Sequence, residues 1–466
     1  MSKIQVFPLT VTRSLLNRAR GAEFHFGEDT ALVAVQHMLL QTVDLFQTIG
    51  AIGLNLKNAF ALGKVYSNSP PVIQSLRAMG VTVLESTTPP PGQFHSFFEH
   101  DVQQLWKIAG DTLRQRNIKR ILVLDDAGLC ITNTPAEVVQ RYAVCGVEQT
   151  SQGMFRFEES PPPFAVISWA RSAVKLHVGG PIFSQSFQEK LNTEHLRGRS
   201  LRGASVGIIG LGSIGRSAAR LMSRQGAKVL FYDPLVQAPQ SLQGTITRAR
   251  SLEELMMSCD YVAGCSGRNP FRGQWPVRHQ PGIKLFSASG GDHEFGPIID
   301  DLKQKSDFDI NPETWTITSK QGPSGPIEIA YLGYPYNFVS RALEAVPTRV
   351  VQIETAGLLA ALIQARFYLQ VCERRAKDNA GVHRVAPKAQ HFVFDTWARA
   401  MKDYGIALSD VFGYEEEMLR AAQHESWFSE NTDQAVSRLN ETATTVEDLM
   451  TRFLSQPSAV RMQGER

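Results

Sequence analysis

The chain has 466 residues, 43% of them hydrophobic and 20% charged, with a formal net charge of +3. That length exceeds one hydrophobic core and predicts two or three domains of ordinary globular composition. So small a charge gives no footprint for nucleic acid or for a membrane surface, and no block of like charge appears.

The opening MSKIQVFPLTVTRS lacks a continuous apolar run, so no signal peptide is expected. From there to residue 185, strand and helix signals alternate. An apolar strand over Ala31–Val35 leads to His37 and a helical stretch. Ser69-Pro70-Pro71 opens a helix carrying Val72, Ile73, Leu76 and Met79, closed by Gly80 before a strand over 81–84. Residues 102–113 form an amphipathic helix, and Ile121–Leu124 a buried strand ending in Asp125-Asp126. A helix over 136–142, a turn segment over 146–153 and a strand over 164–169 complete the run. This alternation predicts a doubly wound parallel sheet with ligands beyond the carboxyl ends of its strands.

The segment GASVGIIGLGSIGRSAARLMSRQGAKVLFYDP, residues 203–234, carries the clearest chemistry. A buried strand over 206–209 runs into Gly210-x-Gly212-x-x-Gly215, then a helix, then a strand over 228–232 that ends at Asp233. The glycines supply a tight turn, close approach of backbone to a pyrophosphate, and close helix–strand packing. The helix N-terminus, with Ser213 and Ile214, offers unpaired N–H groups to phosphate. Asp233 accepts from ribose hydroxyls and repels a 2′-phosphate, so NAD is the expected cofactor. The pattern continues with a helix over 252–257 and strands over 261–263 and 283–288.

From residue 351 the chain returns through an apolar helix over 356–372, too short to span a bilayer. Phe394, Trp397, Ala398 and Met401 share one helical face, and Val446, Leu449, Met450 and Phe453 another. The polar end at 462–466 reads as disordered. The expected organisation is an α/β fold with two doubly wound parallel-sheet domains and a helical C-terminal region. Residues 1–185 form the substrate domain, 186–350 the Rossmann NAD domain, and 351–466 the helical return and extension. Cys130, Cys145, Cys259, Cys265 and Cys372 show no C-x-x-C spacing and read as free thiols in the cytoplasm. The eleven histidines are scattered, and no metal site is expected.

Several separated segments together resemble S-adenosylhomocysteine hydrolase (adenosylhomocysteinase) over about residues 30 to 390. They are QHMLLQT around His37, LDDAG at 124–128, GVEQTSQG at 146–153, SAVK ending at Lys175, GLGSIG, GYPYN ending at Asn337, and GVHRVAPK at 381–388. The resemblance implies tightly bound NAD that oxidises a ribose hydroxyl, eliminates the 5′ substituent, adds water and reduces the ketone again. It implies Asp126, Lys175 and His37 as catalytic groups. It also places Thr150, Ser151 and Gln152 at the nicotinamide ribose and Asn337 at the carboxamide. Gln41 and Gln149 fall at substrate-binding positions where the family has glutamates.

Other family positions hold Leu39, Gly179, Gly180, Gly290 and Val346, so altered substrate recognition is expected. The expected function is therefore an NAD-dependent enzyme acting on a hydroxyl of a nucleoside-like small molecule. A homodimer or homotetramer is expected, with no nucleic acid or membrane partner. The alternative is a catalytically impaired NAD-binding regulatory or scaffold protein. A 2-hydroxyacid dehydrogenase ranks last, because the loop SASGGDHEFG lacks the arginine that family places after a late Rossmann strand.

Overall fold

The computed structural model describes residues 9–196, 200–236, 246–319, 325–339, 343–372, 380–409, 416–433 and 441–456. The chain is an α/β protein of two compact units. One is built from Met1–Ser86, Phe98–Val178 and Arg341–Arg466, the other from Thr87–Phe97 and Gly179–Ser340.

The first unit holds β1 (Thr30–Met38), β2 (Ala59–Asn68), β3 (Thr82–Leu84), β4 (Arg120–Asp125), β5 (Ala143–Glu148) and β6 (Ala165–Ser168). From much later in the chain comes β15 (Gly381–Arg384). Their order is β15-β6-β5-β4-β1-β2-β3, and every pairing is parallel. Helices cover both faces, so the strands are near-continuous apolar runs, with Ala31–Val35 and Ile121–Leu124 buried. Strand order reverses between β1 and β4, which opens a crevice beyond their carboxyl ends.

β2 carries no clear strand signal of its own in the sequence. Its apolar start, Ala59–Leu62, is followed by Gly63 and Lys64, and pairing with β1 and β3 rather than local propensity extends it. The expected turn over 146–153 is instead the end of β5 and the start of the helix Ser151–Glu159. Gly146 is buried within the strand, where its missing side chain admits its neighbours; it does not mark a turn.

The return helix runs from Thr348 to Cys372, 25 residues, and is longer than expected. By length and composition it could cross a membrane, yet 89% of its apolar window is buried inside the protein. It is the central helix of the first unit, packed against β5 and against the helices Leu40–Ala51, Pro387–Asp403 and Glu441–Ser455. The faces expected on the last two are present, with Phe394, Trp397, Met401, Val446, Met450 and Phe453 buried. Residues 462–466 lie outside the described residues.

The second unit holds β7 (Ser205–Ile209), β8 (Lys228–Tyr232), β9 (Ile246–Arg248), β10 (Tyr261–Gly264) and β11 (Ile283–Ser287). It continues with β12 (Phe308–Asn311), β13 (Thr316–Ser319) and β14 (Ile327–Ile329). The parallel part is ordered β9-β8-β7-β10-β11-β14, the dinucleotide-binding arrangement, and antiparallel β13 and β12 extend one edge. The switch point lies between β7 and β10, and the glycine turn leaves β7 there. The five cysteines are free.

Candidate functional site

In the second unit the glycine turn has the expected geometry. Gly210 has φ +88, and a Cβ on it would sit 2.5 Å from Ser266 Cα. A Cβ on Gly215 would meet the Gly210 carbonyl at 2.0 Å, so turn and helix pack backbone to backbone. Above Gly212, by contrast, no atom lies within 4 Å of an added Cβ. Gly212 is the N-cap of the helix Ser213–Arg224 and brings no capping side chain, so the first helical N–H groups point into that open space. An open helix N-terminus of this kind suits an anionic group such as a pyrophosphate.

Asp233 has a structural task. Its Oδ2 accepts from Leu211 N–H at 2.7 Å, and its Oδ1 from Leu235 N–H at 2.8 Å and Val236 N–H at 3.1 Å. The carboxylate therefore ties the turn after β7 to the turn after β8. Asn337 is buried, and its Oδ1 has no hydrogen-bond partner among the described residues.

In the first unit, four strand ends converge on one carboxylate. Asp126, just past β4, is 4% exposed. Lys64 of β2 donates to its Oδ1, and Gln149 Nε2, just past β5, donates to Oδ2 at 2.6 Å. His37 Nε2 of β1 stands 3.3 Å from the same Oδ2, and His37 Nδ1 is 2.6 Å from Ser67 Oγ.

The electrostatics fix the charges. Burial alone would raise the Asp126 pKa, but Lys64 and then His37 outweigh it and hold the carboxyl well below its usual range. Burial likewise opposes the charge on Lys64; Asp126 and Tyr66 reverse this, and the net shift is upward. Burial pushes His37 down against the attraction of Asp126, and the charges of Lys64 and Lys175 push the same way as burial. An ionised Asp126 accepts only from Nε2–H, so the neutral ring offers Nδ1 to the Ser67 hydroxyl as an acceptor.

Lys175 opens a π-helical turn, Lys175–Gly179, and keeps 23% side-chain exposure. Its Nζ donates to Glu354 Oε2 at 3.0 Å, and Trp169 Nε1 donates to the same oxygen at 2.7 Å. Gly357, one turn beyond Glu354, makes this possible, since a Cβ there would lie 2.1 Å from the indole.

Other expected residues have structural partners. The Thr150 hydroxyl caps the helix Ser151–Glu159 through Gly153 N–H and donates to Glu148 Oε1 at 2.6 Å. Ser151 is exposed and Gln152 half-buried on that helix. Gln41 is half-buried on the helix Leu40–Ala51, and its Oε1 has no hydrogen-bond partner among the described residues. The capping task open to an acid after β4 falls to Asp125, whose Oδ2 accepts from Ile131 N–H at 2.8 Å. Asp126 is thereby released into the cluster. Lys64, Ser67 and Glu354 are absent from the sequence reading; a lysine closing an apolar run was the available signal for the first.

Residues 176–270 match the family described as D-isomer specific 2-hydroxyacid dehydrogenase, NAD binding domain. An uncharacterized protein of Mycobacterium tuberculosis is 26% identical over 340 residues, 72% of this chain. The chain spans 64% of that relative's own length. The (S)-sulfolactate dehydrogenase of Chromohalobacter salexigens is 35% identical over 101 residues, 21% of this chain and 33% of that protein. The D-3-phosphoglycerate dehydrogenase of Sus scrofa is 26% identical over 162 residues, 34% of this chain and 28% of that protein. An NAD-bound 3-phosphoglycerate dehydrogenase structure from Entamoeba histolytica covers 74% of this chain and 95% of its own, at 12% identity and TM-score 0.33. At that score the fold comparison is uninformative.

These matches correct the expected resemblance. The nucleotide unit is similar to the NAD-binding domain of D-2-hydroxyacid dehydrogenases, and the hydrolase reading does not stand. Of the segments that carried the resemblance, GLGSIG could not separate the families, because the strand–glycine-turn–helix–strand–acid unit serves any NAD-binding doubly wound domain. The cofactor is NAD, and the relatives with named activities are oxidoreductases.

Proposed function

We propose that the protein is an NAD-dependent dehydrogenase that interconverts the hydroxyl and keto forms of a small 2-hydroxy acid. The match of residues 176–270 to the NAD-binding domain of that enzyme class carries this reading, supported by the open cradle over Gly212. Bound NAD supplies the hydride acceptor, held by Gly210, Gly212, Ser213, Ile214, Gly215 and Asp233, with Asn337 a further polar group of the same unit.

The loop after β11 reads Ser-Ala-Ser-Gly-Gly, with no arginine for a substrate carboxylate. In this proposal the first unit supplies the polar chemistry instead. Lys175, the more accessible cation, meets the substrate and is oriented by Glu354 and Trp169. His37, kept neutral by burial, takes and returns the hydroxyl proton at Nδ1 through Ser67, whose hydroxyl passes its own proton to the ring as it accepts one from the substrate. Asp126, pinned ionised by Lys64, steadies the imidazolium formed on the way. Gln149 fixes the Asp126 carboxylate, and Gln41 and the Thr150-Ser151-Gln152 run belong to the surrounding wall.

The test is a panel of small 2-hydroxy acids added to protein and NAD, with nicotinamide absorbance as readout. At least one acid should reduce NAD. Lys175→Met and His37→Gln should each lower kcat/KM by about 10²- to 10⁴-fold with NAD affinity unchanged. Oxidised NAD across the whole panel, with NAD tightly bound, would instead favour a regulatory NAD-binding protein.

A further inference from the structure

In the nucleotide unit, loops leave the carboxyl ends of β7, β10 and β11, and one buried carboxyl joins them. Glu294 is 0% exposed. Its Oε1 accepts from Ser266 N–H at 3.1 Å and from the Ser266 hydroxyl at 2.8 Å, in the loop after β10. Its Oε2 accepts from the Ser289 hydroxyl, in the loop after β11. Ser289 Oγ in turn accepts from Gly267 N–H at 3.0 Å, which closes a ring of bonds between the two loops. The strand end makes room for it, since a Cβ on Gly264 would lie 2.2 Å from Glu294 Cγ.

The third loop is the glycine turn. Ser266, which Glu294 holds by two bonds, is the residue against which Gly210 packs. The contact path from Glu294 through Ser266 to Gly210 is unbroken, and it lies at the switch point of the sheet. We propose that Glu294 is a positioning residue for the dinucleotide and that its proton uptake tightens NAD binding at the turn Gly210–Gly215.

The physical basis is charge. An ionised Glu294 places a fixed negative charge behind the helix N-terminus that receives the pyrophosphate, and a neutral Glu294 removes it. Burial pushes this carboxyl up to about 7, and the serine bonds offset only part of that. Of its titratable neighbours, Cys265 is pushed up by burial and then by Glu294, so the thiol stays neutral. Asp292, two residues away, turns to Phe94 N–H at 3.1 Å, and burial raises it to about 6. Coupling is reciprocal, so NAD that prefers the neutral carboxyl must also raise its proton affinity.

The experiment is NAD binding by titration calorimetry from about pH 5.5 to 8.5, in buffers of differing ionisation enthalpy. Affinity should fall about three- to tenfold as pH rises through about 7, with fractional proton uptake near the inflection. Glu294→Gln should flatten the profile, while Asp292→Asn should leave the inflection in place. Ser289→Ala removes a bond to the charged form and should move the inflection to higher pH. A flat wild-type profile, or a Glu294→Gln profile with the wild-type slope, overturns the proposal. If Glu294→Gln does not fold, Ser289→Ala decides, and an unmoved inflection overturns it.

Discussion

At the scale of single residues, Lys64 and Asp126 form a buried ion pair whose members cannot be removed singly at low cost. Lys64→Met should leave Asp126 an uncompensated buried charge and cost about 3–5 kcal/mol in urea unfolding. Lys64→Met combined with Asp126→Asn should recover most of that loss, because the orphaned charge is gone. Equal losses in single and double variants would show that the pair is not coupled. The pH dependence has a definite sign. Asp126 has a depressed folded pKa, so its contribution is complete above the ordinary carboxylate range and fades only in strong acid. His37 is also depressed, but it is a base, so it costs stability as pH falls below its usual 6.5. Asp126 and His37 each follow an apolar run, but the expectation of a role for them came from the resemblance to the hydrolase and not from that position. Lys64 was not legible, since lysine is exposed by default and only the pairing of β2 with β1 buries this one.

At the scale of elements, the glycine turn separates folding from ligand space. A Cβ on Gly212 meets nothing, so Gly212→Val should change stability in the absence of NAD by no more than about 0.5 kcal/mol. Its side chain would still fill the pyrophosphate cradle. Thermal unfolding reads both effects. At a hundredfold excess of NAD over Kd the wild type should gain about 2.7 kcal/mol, and the Gly212 variant nothing. Gly210→Ala should behave in the opposite way and lose about 1–3 kcal/mol without any ligand, because its φ and the Ser266 contact both oppose a side chain. A Gly212→Val protein that still gains stability from NAD would place the dinucleotide elsewhere. This element was readable because strand, turn, helix and acid are consecutive in sequence. The Asp126 cluster was not readable as a unit, since β1, β2, β4 and β5 assemble it from residues 37 to 149. The consecutive part is shared by many NAD-binding proteins, and the assembled part is where families differ.

At the scale of the whole molecule, the residues after the nucleotide unit complete the first unit. The helix Thr348–Cys372 fills its centre, and β15 adds a seventh strand beside β6. The apolar faces of these C-terminal helices are turned inward, because Phe394, Trp397, Met401, Val446, Met450 and Phe453 are buried within one chain. Trp397 tests the point. It is 0% exposed, and its Nε1 donates to Val350 O at 2.8 Å, so it joins the helix Pro387–Asp403 to the central helix by packing and by a hydrogen bond. Trp397→Ala should remove that bond and open a cavity, lowering stability by about 3–5 kcal/mol in urea unfolding. Were the C-terminal helices a peripheral addition, the same substitution would cost no more than about 0.5 kcal/mol. A loss in the larger range makes the helices Thr348–Cys372 and Pro387–Asp403 part of the core that carries the Asp126 cluster. Glu354, which orients Lys175, stands on the helix that Trp397 braces.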